Sequence, residues 1–358
     1  MNLSDLEQYD YVLPEALIRK EGVEPRDTAR LFVYDTSTDT VTHDFFYNIA
    51  KYLPENSLLV LNDTRVVPAR LHLKKATGGK IEVFVLMNEW DGKDEFVPVL
   101  VDRKCGVGWK LFFPNGDYFE MVRQEANKFF AILKPSNSGS TPVKSLGELL
   151  EEFGETPIPP YLSGEEWLRD EKKLRMRYQT IFAEQGNSVA APTAALHFTD
   201  RVFESLKQKN IDTAHVTLDV GLGTFAKLKD ENFVTKKLHR ERISVSDETA
   251  IQINTVKKEG QKIIPVGTTA LRTLESCIKN GSLRAFAGDT DIFISPPHHF
   301  RSADMLITNF HIPKSSLMLL VDAFLRDKGA KRNLIQLYEE AIREKYAFYS
   351  FGDSMLIL

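Results

Sequence analysis

The chain has 358 residues, 42% hydrophobic and 27% charged, a balance that suits one large or two ordinary globular domains. A formal net charge of −4 argues against an indiscriminate polyanion binder but leaves room for a local basic groove. No run reaches the ~18–20 apolar residues of a membrane span, the start MNLSDLEQYD lacks the plan of a signal peptide, and the two distant cysteines, Cys105 and Cys277, fit a reducing cytoplasm.

In chain order, residues 31–34 read as a short strand, 35–40 as a turn, and 43–53 as a helix with Phe46, Ile49, Ala50 and Leu53 on one face. Residues 57–61 are continuously apolar, as in a strand buried on both sides, and run into LNDTRVVPARL. Asp63 and Arg65 therefore stand at the end of a buried strand, where open α/β sheets place ligand groups. The alternative is an Asx-turn with Arg65 paired to Asp63. From about Val67 to Leu133 come short strands broken at Gly78-Gly79, Asp91-Gly92, Gly106 and Asn115-Gly116, the pattern of a small β-barrel. KPSNSGSTPV, 134–143, is the exposed return. The expected fold is an α/β main domain, 1–66 and 144–358, with an inserted small β-barrel domain at 67–143.

Residues 146–153 read as an amphipathic helix, TPIPPYL as a proline-held approach, and 165–178 as a charged helical run leading to VAAPTAALHFT at 189–199. Small residues crowd there around Pro192. Either Thr193 caps a helix in which His197 is an ordinary residue, or the backbone approaches a ligand beside an imidazole suited to proton transfer. A helix at 201–209 and a strand at 212–220 precede GLGTF. Gly221-x-Gly223-x-x-Ala226 mimics a dinucleotide fingerprint, with Glu241 at a suitable distance. Residues 227–235 lack an apolar helical period, however, so no helix N-terminus awaits a pyrophosphate and a nicotinamide-dependent oxidoreductase is disfavoured.

In KKLHRERISV, 236–245, His239 and Glu241 share one face of an extended segment and Arg240 and Arg242 the other. An imidazole beside a carboxylate is a serviceable proton-transfer pair and also a common surface pattern. A helix at 247–258 and a buried strand at 262–266 lead into GTTALRTLES, where Thr268, Thr269 and backbone N–H groups face an anion or carboxylate. A strand at 289–295 has Asp289 at its mouth, and MLITNFH at 305–311 is a strand ending in Asn309 and His311. Apolar and amphipathic helices at 315–324 and 333–345 precede YAFYSFGDSMLIL. His298, His299 and His311 lack the spacing of a metal site, so no metal is expected.

LNDTRVVPARL, TGGKIEVFVL, PIPPYL, RYQTIFA, VAAPTAALHFT, VGTTALRTLES, LITNFHIPKSSLMLLVDAF and YAFYSFGDSMLIL together resemble the S-adenosylmethionine:tRNA ribosyltransferase-isomerase family of queuosine biosynthesis, in order and over essentially the whole chain. The resemblance implies an α/β domain with an inserted β-barrel. It also implies transfer of the ribosyl part of S-adenosylmethionine to a 7-aminomethyl-7-deazaguanine at the tRNA wobble position, giving epoxyqueuosine, adenine and methionine. S-adenosylmethionine is then a substrate, there is no cofactor or metal, the partner is that tRNA, and the protein is a monomer without a membrane.

This chemistry needs a base to remove a C5′ proton acidified by the sulfonium, a hydrogen bond to the leaving adenine, and an aromatic face or carboxylate for the sulfonium. His197 or the His239–Glu241 pair is expected to move protons, and Phe225 or Tyr346 to lie near the sulfonium. Asp63, Arg65, Thr268 and Thr269 are expected on ribose, carboxylate or phosphate. Thr193, Gly223, Asp289 and Asn309 complete the candidate substrate-binding set. The chain departs from the family at Ala195, where a glycine is usual, at Asp219, where a histidine is usual, and at SPPHHF, 295–300. A diverged paralogue with another substrate, or a non-catalytic S-adenosylmethionine- or RNA-binding protein, is the alternative. The HHFR stretch and the Arg240–Arg242 pair would contact phosphate in such a protein.

Overall fold

The apolar run at 57–61 lies at the centre of the molecule. In the computed structural model, which describes residues 2–90, 92–136, 144–162, 165–221, 223 and 226–358, it forms the strand Leu58–Asn62, buried at every position. Ile263–Pro265 and Asp212–Leu218 flank it, both parallel to it, and the antiparallel strands Lys237–Val245 and Phe286–Ile292 extend this five-stranded sheet. In a parallel sheet the crossover segments cover both faces of a central strand, hence unbroken apolar sequence instead of alternation.

A four-stranded sheet runs in the order Leu306–Asn309, Ser354–Ile357, Arg30–Asp35, Thr40–Phe45. The parallel bridge Val266↔Ile307 joins the two sheets edge to edge. The carboxyl ends of Leu58–Asn62, Asp212–Leu218, Ile263–Pro265 and Leu306–Asn309 therefore point the same way. The helix Gly267–Cys277 starts directly after one of those ends and buries Ala270, Leu271 and Leu274. The helix Ser316–Asp327 is buried from Met318 to Leu325, as its apolar sequence requires.

Six further strands pair in succession: Arg70–Lys75, Lys80–Val85, Phe96–Val101, Lys128–Lys134, Tyr118–Glu125 and Lys110–Phe112. Lys74 and Lys75 then pair with Phe112 and Leu111, so the strands close into a ring without an open edge. Inward residues such as Leu71, Ile81, Val99, Leu111 and Phe119 form its core. The helix Leu146–Phe153, opened by a capping box at Ser145 and Glu148, adds Leu146, Leu149 and Leu150 to that core. Gly154–Glu155 then pairs with Leu71 and Arg70.

Two expectations are corrected. The helix expected over 43–53 is a strand, Thr40–Phe45, followed by a short 3-10 turn, Phe46–Lys51. Pairing of the β-branched Val41 and Thr42 with Tyr34 and Val33 prevails over the helical spacing, although Phe46, Ile49, Ala50 and Leu53 are buried as expected. A short helix, Asp230–Thr235, occupies the run judged non-helical, but it begins well past Gly223 and buries only Phe233. Among the described residues no helix is long and apolar enough to cross a membrane.

Candidate functional site

At the aligned carboxyl ends lies a cavity of about 420 Å³, within the usual range for small-molecule sites. Val220, Gly267 to Thr269, and Thr308 to His311 reach it from strand ends, which is where open α/β sheets bind ligands. The small-residue motif supplies Ala190 to Ala194, and Tyr161, Tyr349 and Ser350 cover another side. Thr193–Ala195 is one 3-10 turn after Pro192, and Thr193 is not a helix cap. Its hydroxyl donates to Asn309 Oδ1 at 2.9 Å, while Thr199 caps the helix Asp200–Lys207. Ala195 is buried in the core and does not have the positive φ that would demand glycine, so its methyl group is accommodated.

The polar equipment of the cavity points to an anion. Asn309 Nδ2 and Thr269 Oγ1 are buried without a partner, and both residues line the space. A buried donor left unpaired costs ~1–3 kcal/mol, a cost that a ligand would relieve. No side chain caps the helix Gly267–Cys277, so its first N–H groups and positive dipole end are open on the same side. Gly267, at φ +87°, makes the turn that brings them there.

His311 lines the cavity with Nε2 3.0 Å from Thr308 Oγ1. Its edge meets the cavity, but the surrounding protein pushes its pKa down to about 3, so the imidazole is neutral at pH 7. Tyr349 is held at φ 74°, with its ring 5.1 Å from that of Tyr161. Strain of this kind is concentrated at functional sites. Sequence reasoning weighed His311 only as a metal ligand and passed over both tyrosines. Its position two residues beyond Asn309 at a strand end was the available signal. For the tyrosines there was none, because they converge from distant segments.

Of the residues expected at the site, Thr193, Thr268, Thr269 and Asn309 meet at the cavity, and the other described ones lie outside its wall. His197 packs its ring 5.1 Å from Phe46, with Nδ1 3.4 Å from the Arg26 carbonyl and Nε2 unpartnered. Burial lowers its pKa to about 4. Glu241 is buried, 2.5 Å from Arg272 Nη1, and accepts the Gly221 N–H at 3.2 Å. A carboxylate so engaged positions neighbouring groups and is a poor free base. His239 is exposed and packs on Gly223, where an added Cβ would fall 2.3 Å from His239 Cβ. The strand register shifts between Lys237 and Glu241, so simple alternation fails there.

Asp63 accepts the Thr217 hydroxyl at 2.7 Å, and burial raises its pKa. Thr64 N–H donates to Asn62 Oδ1, giving the Asx-turn, but Arg65 is exposed and pairs with Glu151 instead of Asp63. Asp289 is exposed on the outer strand opposite Arg242. The Tyr346 hydroxyl lies between Leu31 O and His43 Nδ1, with Arg30 3.9 Å from its ring centre, so it faces no ligand in this cavity. Phe225 falls outside the described residues. Asp219 is buried and accepts from Thr64 Oγ1 at 2.8 Å and Asn187 N–H at 2.9 Å. In SPPHHF, His298 lies 3.1 Å from Glu275 and Phe300 is buried, while His299 and the following Arg301 are exposed, with His299 2.7 Å from Asp327.

The chain is similar to known proteins over nearly its whole length. Residues 6–357 match the family model described as "Queuosine biosynthesis protein". The chain is 42% identical over 358 residues to the S-adenosylmethionine:tRNA ribosyltransferase-isomerase of Carboxydothermus hydrogenoformans, covering 99% of each chain. It also matches the crystal structure of S-adenosylmethionine tRNA ribosyltransferase from Thermotoga maritima with a TM-score of 0.54 and 30% identity, over 98% of this chain and 100% of that one. With its motifs, sheet order and strand-end cavity all in one chain, this protein belongs to the S-adenosylmethionine:tRNA ribosyltransferase-isomerase family of queuosine biosynthesis.

Proposed function

We infer that the protein transfers and isomerises the ribosyl moiety of S-adenosylmethionine onto the 7-aminomethyl-7-deazaguanine of a tRNA wobble position, releasing adenine and methionine and leaving epoxyqueuosine. Family membership over the full length supports this reading. The structural observation that carries it is the pair of orphaned donors, Thr269 Oγ1 and Asn309 Nδ2, beside an uncapped helix start in a mainly apolar cavity. Those donors suit the methionyl carboxylate, and the apolar wall of Ala190, Ala191, Val220 and Ile312 suits the nucleoside. Tyr161 and Tyr349 offer aromatic faces to the sulfonium, an interaction worth ~2 kcal/mol when desolvated.

His311 replaces His197 and Glu241 as the histidine or carboxylate placed at the substrate, because it lines the cavity. With its pKa held so far below 7 it is a weak base, and it serves by accepting a hydrogen bond from the adenine amino group. S-adenosylmethionine serves as substrate, without a further cofactor. The ring-forming segment within 67–143 is read as an inserted β-barrel domain, and 1–66 with 144–358 as the main domain. None of Ala195, Asp219 or 295–300 lines the cavity, which weakens the case for a paralogue with altered substrate.

Incubating the protein with S-adenosylmethionine and tRNA carrying the aminomethyl-deazaguanine base, followed by mass analysis of the nucleosides, tests the reading. Epoxyqueuosine with released adenine is expected. Absence of product, in parallel with a working homologue, overturns it.

A further inference from the structure

No residue of the six-stranded ring lines the cavity, so the chemistry there leaves the ring's outer surface unexplained. Along one rung, Lys80 faces Lys74, Lys74 faces Phe112, Phe112 faces Tyr118, and Tyr118 faces Lys134. These positions alternate with the buried Ile81, Leu73, Leu111 and Phe119, so they point outward. At ~4.8 Å between strands they form a continuous girdle around much of the ring. The Phe112 and Tyr118 rings lie 5.4 Å apart, and Lys110 Nζ sits 4.8 Å from the centre of the Tyr118 ring.

The charges on this girdle are not arranged for stability. Lys74 and Lys80 stand directly opposite one another, a like-charge pairing that destabilises a sheet. Neighbouring carboxylates are engaged elsewhere: Glu82 lies 3.7 Å from Arg70, Asp102 pairs with Arg103, and Asp117 accepts the Ser136 N–H. Glu120 faces Lys110 in register, on the adjacent rung. Among the described residues no carboxylate pairs with Lys74, Lys80 or Lys134. Uncompensated lysines interleaved with aromatic faces are the composition that binds a nucleic-acid backbone and stacks its unpaired bases. The net charge of −4 confines that attraction to the local surface.

We propose that this girdle, with Lys74, Lys80, Lys110 and Lys134 on phosphates and Phe112 and Tyr118 on an unpaired base or ribose, is the surface on which the tRNA substrate lies. The proposal rests on the reading of tRNA as substrate. It is tested with the full chain, an in vitro tRNA transcript as probe, and the variant K74Q/K80Q/K134Q, with affinity measured at roughly 50 to 200 mM salt. The expected result is a tRNA affinity lowered about tenfold or more at the low-salt end, and a log–log salt slope shallower by about two to three, with S-adenosylmethionine affinity unchanged. Lys80→Glu alone is expected to raise the Tm, by placing a carboxylate opposite Lys74, while weakening tRNA binding. A purely structural lysine would not move the two readouts in opposite directions. A folded triple variant with wild-type tRNA affinity and slope overturns the surface alone. Wild-type protein that binds S-adenosylmethionine but no tRNA overturns the tRNA reading with it.

Discussion

Asn309 shows how one side chain acquires a function from its fixed surroundings. The Thr193 hydroxyl ties down its Oδ1, which leaves its Nδ2 buried without a partner in the wall of the cavity. Losing a hydrogen bond to a charged group costs ~1.5–3 kcal/mol, so Asn309→Leu is expected to raise the KM for S-adenosylmethionine about 10- to 100-fold. Thr269→Val is expected to shift the same KM in the same direction, and steady-state kinetics at saturating tRNA check both. The threonines and Asn309 were legible in the sequence because strand ends followed by Gly-Thr-Thr or Thr-Asn announce a ligand-facing edge. The proton-transfer candidates were not. His197 is set in a motif of small residues that suits a ligand, yet the 3-10 turn at Thr193–Ala195 brings that histidine against Phe46 instead. The Glu241 pairing with Arg272 spans two elements that no local spacing connects.

Among the elements, the ring and its neighbour meet at Gly154. A methyl group there would come within 2.0 Å of Pro68 O and 2.4 Å of Leu150 O, both backbone atoms that cannot swing aside. Gly154→Ala is therefore expected to separate the helix Leu146–Phe153 from the Arg70–Lys75 strand and to lower stability by ~3 kcal/mol or more, measured by urea unfolding. The ring itself was visible in advance as six short runs between glycine-rich turns, because alternation of period two survives in a sheet with one face buried. Its closure through Lys74–Phe112 was not, since strand order follows from long-range pairing. At 43–53 the spacing of Phe46, Ile49, Ala50 and Leu53 suggested one helix, whereas the structure divides the segment between a strand and a 3-10 turn and buries the same residues.

For the molecule as a whole, His197 links stability to acidity. Burial lowers its folded pKa to about 4 from an unfolded value of 6.5, so the unfolded chain takes up the proton first as pH falls. The contribution, ~3 kcal/mol, is complete above pH 6.5 and is lost progressively down to pH 4. His311 acts in the same direction. Urea midpoints at pH 7 and pH 4.5 should diverge for the native chain, and His197→Phe should narrow that gap.

The strand Ser354–Ile357 pairs with Leu306–Asn309 on one side and with Arg30–Asp35 on the other. Asn309 is thus held in place by a segment translated about 320 positions after the Arg30–Asp35 strand. At ~5–20 residues per second, an emerging polypeptide spends roughly a quarter of a minute to a minute with that slot in the four-stranded sheet empty. Removal of residues 354–358 is accordingly expected to abolish S-adenosylmethionine binding in equilibrium dialysis while the six-stranded ring still folds. Ligand capture then waits on that strand, and a nascent chain that has not yet made it cannot bind the substrate.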